Sequence, residues 1–69
     1  MAVTYNDLTL DIRRSLRQAG IEADALEARE LVCFAAGKDR AALLRDGALY
    51  ASPEVEEAAW ALARRRLAG

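Results

Sequence analysis

The 69-residue sequence contains no histidine, one cysteine and one proline. With Cys33 alone and no histidine, a Cys/His metal site cannot be assembled. The Ser-His-Asp and Cys-His catalytic arrangements fail for the same reason. One cysteine closes no intrachain disulfide, and a lone thiol in an apolar run suits a reducing cytosol. No apolar run approaches the ~20 residues needed to span a bilayer. The N-terminal MAVTYND lacks the basic and apolar regions of a signal peptide. A basic excess is missing too: net charge is −1 and pI about 5.3, which counts against a general nucleic-acid binder. There is no glycine-rich strand–helix turn to cradle a phosphate, and no convincing strand. Glu56 and Glu57 are adjacent, so on a helix they face different ways and make a poor acid/base pair. Nothing here gives this chain, on its own, the groups of an enzyme.

What remains is the composition of a small helical bundle: 54% hydrophobic residues, much of it alanine, and 30% charged. A chain this short buries only about 60% of the surface its unfolded form exposes. With no staple available, regular helix packing has to stabilise it.

The pattern predicts an all-α bundle of four main helices, about 4–19, 25–36, 40–46 and 53–67. Thr4 and Asp7 have capping-box spacing, with Val3 and Leu8 at the staple positions. Tyr5, Leu8, Ile12, Leu16 and Ala19 form one apolar stripe, and Leu10 lies off it. Gly20 ends this helix, with Ile21 folding back onto Leu16. In the second helix only Glu27, Arg29 and Glu30 are charged between Ala25 and Ala36. A helix apolar nearly all round is expected at the centre, covered on several sides. Asp24 and Glu27 have the spacing of a reciprocal cap, and Gly37 ends the helix. Asp39 caps a short third helix anchored by Leu43 and Leu44, with Gly47 just past its end. Residues 48–51 read as a loose turn that tucks Leu49 and Tyr50 onto the bundle. Ser52 and Pro53 open the last helix, with Glu54 and Glu56 near its positive end and Arg64, Arg65 and Arg66 at the other.

Among candidate functional residues, Glu27 is explained by capping. Cys33 has no basic neighbour in sequence to activate it and reads as a small core residue. Trp60 reads as core. Arg13, Arg14 and Arg17 form a basic strip on the first helix that could meet an acidic partner; the plain alternative is a solvated face. Arg64 to Arg66 compensate the helix dipole or meet a following domain.

The order of these features resembles the N-terminal domain of the peptide chain release factor glutamine methyltransferases, the HemK/PrmC family. Tyr5 and Leu8 open the first helix, and Leu16 precedes the A-G-I-E run at Ala19 to Glu22. Leu26, Glu27, Ala28, Leu31 and Gly37 are similar to the family's L-[DE]-A-x-x-L...G stretch. Arg40, Leu43 and Leu44 resemble its R-x-x-L-L segment, and Arg65 to Gly69 its R-R-x-x-G ending. Glu30 and Ala36 depart from the larger aliphatic residues usual there.

In that family the helical domain precedes a Rossmann-like domain that carries the S-adenosylmethionine loop and an N-P-P-Y motif. Neither occurs in this sequence, so the resemblance implies a recognition domain without its catalytic partner, and no catalytic, cofactor or metal residue transfers. It implies a cytoplasmic, bacterial protein that helps dock release factors while a C-terminal methyltransferase domain methylates the glutamine of their G-G-Q motif. S-adenosylmethionine is expected only in that second domain. The expected partners are release factors and the methyltransferase domain, with no direct nucleic acid and no membrane; the contact residues expected are Arg13, Arg14 and Arg17. The rival reading is a free-standing helical adaptor. A helix-turn-helix regulator is weaker, because the pI is acidic and the most helical segment is too apolar to lie in a groove.

Overall fold

The computed structural model describes residues 2–69 as four helices: α1 Tyr5–Gln18, α2 Asp24–Ala36, α3 Arg40–Arg45 and α4 Pro53–Leu67. Each lies within two residues of its expected bounds. Three start at the expected cap residue, although at Thr4 only one half of the box forms, with no Asp7 carboxylate bond to the Thr4 N–H among the described residues. Thr4 Oγ1 accepts from the Asp7 N–H at 3.1 Å, an Asp39 carboxylate oxygen from the Ala42 N–H at 2.8 Å, and Ser52 Oγ from the Val55 N–H at 3.2 Å. Pro53 occupies the first turn of α4, where its missing N–H costs nothing. Both expected glycine endings form. Gly20 takes φ +85° while the Ile21 N–H donates to Leu16 O at 3.1 Å; Gly37 takes φ +65° while the Lys38 N–H donates to Cys33 O at 3.0 Å. Each is a Schellman ending, which satisfies carbonyls the helix leaves open.

α2 starts differently. Its N-terminal flanking residue is Ala23, and no side chain caps it. The two carboxylates expected to form a box reach other helices instead. Asp24 accepts from Arg13 of α1 at 3.0 Å, and Glu27 accepts two hydrogen bonds from Arg66 of α4. A local cap is worth about 1 kcal/mol. Here each carboxylate instead meets a guanidinium of a neighbouring helix; such partly exposed pairs add about 1 kcal/mol or less, and they tie α2 to its neighbours on both sides.

The core consists of Leu8, Ile12 and Leu16 from α1, Ala28 and Val32 from α2, Leu43 from α3, Ala51, and Ala59 and Ala63 from α4. Leu8, Ile12, Leu16 and Val32 are its largest fully buried side chains. The α1 stripe is buried as its period requires, though Ala19 at its end is exposed. Trp60, Val55 and Ile21 pack partly buried against this cluster. α2 is central in one sense: it packs against each of the other three helices. It is not covered all round, since Leu26 is 42% exposed and Phe34 80% exposed. Four helices, one of them only six residues long, leave one side of a central helix open.

Residues 47–51 also depart from expectation. Leu49 and Tyr50 stay exposed, and Gly47 and Ala51 are buried. The segment is held through its backbone. The Tyr5 N–H donates to Leu49 O and the Asn6 N–H to Gly47 O, both at 3.0 Å, and the Ala51 N–H donates to Val3 O at 2.8 Å. Thr4 and Tyr50 thereby form an isolated antiparallel bridge. Two of the amides that α1 leaves without an intrahelical acceptor are satisfied in this way. A Cβ at Gly47 would lie 2.8 Å from Asn6 Cγ, so the Asn6 side chain would have to move to admit one.

Folded domains of this length have roughly 3–10 kcal/mol of stability. Ile12→Ala should cost about 2–5 kcal/mol by emptying the centre of the core, whereas Phe34→Ala should stay within about 0.5 kcal/mol. Urea denaturation of the two variants checks this; equal losses would mean that Phe34 is packed rather than exposed.

Candidate functional site

No group of three or more Cys, Asp or Glu side chains among the described residues is placed to hold a metal, and no buried side-chain polar atom among them lacks a partner. The features with functional potential lie on the surface.

The α1 arginines come together as the sequence suggests. Arg13, Arg14 and Arg17 line a shallow depression of about 200 Å³ with Leu10. They are not equally available. Arg13 is engaged by Asp24, and Arg14 lies 3.5 Å from Asp11 one turn earlier. Among the described residues Arg17 makes no ion pair.

A larger concavity of about 680 Å³ opens between α1, α2 and α3. Its apolar lining includes Leu10, Ala41, Leu43 and Leu44, and among the described residues its only charged members are Arg29 and Arg40. Leu44 is 85% exposed and Leu10 44%. Neither arginine makes an ion pair among the described residues. Arg40 also opens α3, the end of a helix where a cation is disfavoured. The same two arginines line a neighbouring depression with Cys33, Phe34 and Lys38. Leu10 borders both the large concavity and the α1 arginines, so these surfaces are continuous.

Sequence reasoning missed Arg29, Arg40 and Leu44 as a site. One signal was present: Leu43 and Leu44 are adjacent in a six-residue helix, and only one of them can face the core. Leu43 does, at 7% exposure.

Cys33 does have basic neighbours in space, Arg29 and Arg40. Burial outweighs them, and the thiol is pushed above its ordinary range, with Asp39 and Glu30 adding to the rise. It is not an activated thiolate.

Beside this face, Lys38 sets the link from α2 to α3. Its Nζ donates to Asp46 at 2.8 Å and lies 5.3 Å from the Tyr5 ring centroid, within cation–π range. Arg45 donates twice to the same carboxylate, at 3.0 and 3.1 Å. Arg45 and Lys38 together hold the Asp46 carboxyl well below its ordinary value of 3.8, and Asp46 in turn raises Lys38.

The model of the PrmC N-terminal domain matches residues 7–69. The chain belongs to the PrmC N-terminal domain family. Searches of curated proteins and of solved structures returned no match. In this member of the PrmC N-terminal family, the exposed apolar face of α3 and the arginines beside it lie well inside the matched region. No helix among the described residues is long and apolar enough to cross a membrane.

The Asp46 cluster sets a pH dependence. A carboxyl with a lowered folded pKa contributes stability above its unfolded value, and that contribution is lost as pH falls through the folded value. Asp46→Asn should therefore melt below the wild type at neutral pH, with the gap narrowing once pH drops below about 3.8. Thermal melts across pH check this; a gap that stays constant into acid would show that Asp46 is not held by charge.

Proposed function

We propose that this domain recognises peptide chain release factors on behalf of a glutamine N5-methyltransferase. The observation that carries the reading is the family match across residues 7–69. The methyl transfer belongs to a second, Rossmann-like domain that binds S-adenosylmethionine and methylates the glutamine of the G-G-Q motif. The helical domain contributes affinity and orientation. Holding a substrate protein so that its reacting group stays near the catalytic centre turns an encounter into a positioned, effectively unimolecular step.

The physical features fit that division of labour. The bundle offers an exposed apolar concavity and cations that make no ion pair among the described residues, the components of a recognition surface with an apolar centre and a charged border. On the α1 strip, Arg17 is free to meet a partner, while Arg13 and Arg14 exchange an internal carboxylate for an external one. The site of action is the cytoplasm, where release factors work.

Two measurements separate this reading from a free-standing adaptor. The natural reading frame beyond Gly69 should continue into a linker, a glycine-rich strand–helix turn and an N-P-P-Y stretch; a stop codon at that point would favour the adaptor. In the full protein, changing Arg13, Arg14 and Arg17 together to Ala should weaken release-factor binding severalfold with a shallower salt dependence. Unchanged affinity removes the α1 strip from the docking surface.

A further inference from the structure

We propose that the concavity between α1, α2 and α3 is the anchor of the docking surface, and that it receives an acidic, amphipathic segment of the release factor. This rests on the docking function proposed above and adds the face and the chemistry of the segment it takes. Four observations point to it. The lining is mainly apolar, with Asn6 and Thr9 its neutral polar members and Leu44 and Leu10 open to solvent. Among the described residues the only charges lining it are Arg29 and Arg40, which makes the site positive although the chain as a whole is −1. Neither arginine has an ion pair among the described residues. Through Leu10 the concavity runs on to Arg13, Arg14 and Arg17, which extends the positive border along α1.

A ligand that fills this surface has to place apolar side chains on Leu10 and Leu44 and carboxylates against Arg29 and Arg40. A helix with an apolar stripe and acidic flanks does both, the groove-binding mode of amphipathic segments. Guanidinium–carboxylate pairs can be bidentate, which fixes register as well as adding affinity. The apolar contacts set most of the affinity, and the arginines set rate and specificity.

The test is a titration of the isotopically labelled 69-residue chain with a release factor, followed by amide shift mapping and affinity measurement. Shifts should centre on Leu10, Arg29, Arg40 and Leu44. Leu44→Asp and the double variant Arg29→Glu/Arg40→Glu should each lose about tenfold or more in affinity. Leu44 is 85% exposed and both arginines are exposed, so these variants should keep the wild-type fold, which their own amide spectra check. An Arg65→Glu control on α4 should bind as the wild type does. Binding with shifts confined to other faces, or unchanged by Leu44→Asp, overturns the assignment of the face while leaving the docking function standing. Absence of release-factor binding overturns both. Shifts at these residues with an RNA oligonucleotide and none with the release factor overturn the inference in favour of a nucleic acid.

Discussion

The interlock of Leu8, Ile12 and Leu16 with Val32 is the contact on which the rest of the bundle depends. These four are the largest fully buried side chains, and in a chain this short no second core can compensate for them. The remaining buried positions are mostly alanine: Ala28, Ala51, Ala59 and Ala63. Alanine adds little apolar area but lets helix backbones approach closely, and it gives up no side-chain entropy on burial. The core therefore has one interdigitated layer between α1 and α2, with α4 packed against it through small residues. The interhelical ion pairs Arg13–Asp24 and Glu27–Arg66 sit at the margins of that layer. Partly exposed as they are, they contribute modestly to stability; their geometric effect is to orient α2 between its neighbours.

Much of this was legible in the sequence because it is local. The α1 stripe, the caps at Thr4, Asp39 and Ser52, and the endings at Gly20 and Gly37 depend on residues within one or two turns, and all of them form. Most of the departures are long-range. Asp24 and Glu27 have capping-box spacing, but their partners lie elsewhere in the chain, at Arg13 and Arg66, and nothing local announces them. Phe34 and Leu26 made α2 look buried all round. Composition cannot tell how many faces of a helix its neighbours cover, and here one stays open. Leu49 and Tyr50 were assigned to the bundle for their apolarity, whereas the segment is fixed by backbone hydrogen bonds that side-chain chemistry does not encode. The same limit applies to function. The α1 arginines stand out because they are close in sequence. Arg29, Arg40, Leu10 and Leu44 are scattered over α1, α2 and α3 and become a site only when those helices meet.

Helix packing also accounts for where recognition can reside. α3 is too short to bury both of its leucines, and it leaves Leu44 beside two arginines that make no ion pair among the described residues. A bundle with little apolar area to spare would be expected to bury such a side chain if its own stability were the only demand. Membership in the PrmC N-terminal domain family places that exposed surface in the N-terminal helical region of a methyltransferase family.

The clasp between residues 3–6 and 47–51 bears on where the folded unit begins. The family match starts at residue 7, yet the Val3 carbonyl, the Thr4 hydroxyl and the Tyr5 and Asn6 amides all make specific hydrogen bonds. Tyr5 also lies beneath the Lys38 ammonium. A boundary drawn by similarity alone would cut through the first cap of α1 and free the strand-like segment that leads into α4. The physical unit includes Val3 to Asn6, and trimming the domain to the matched residues removes every one of these bonds.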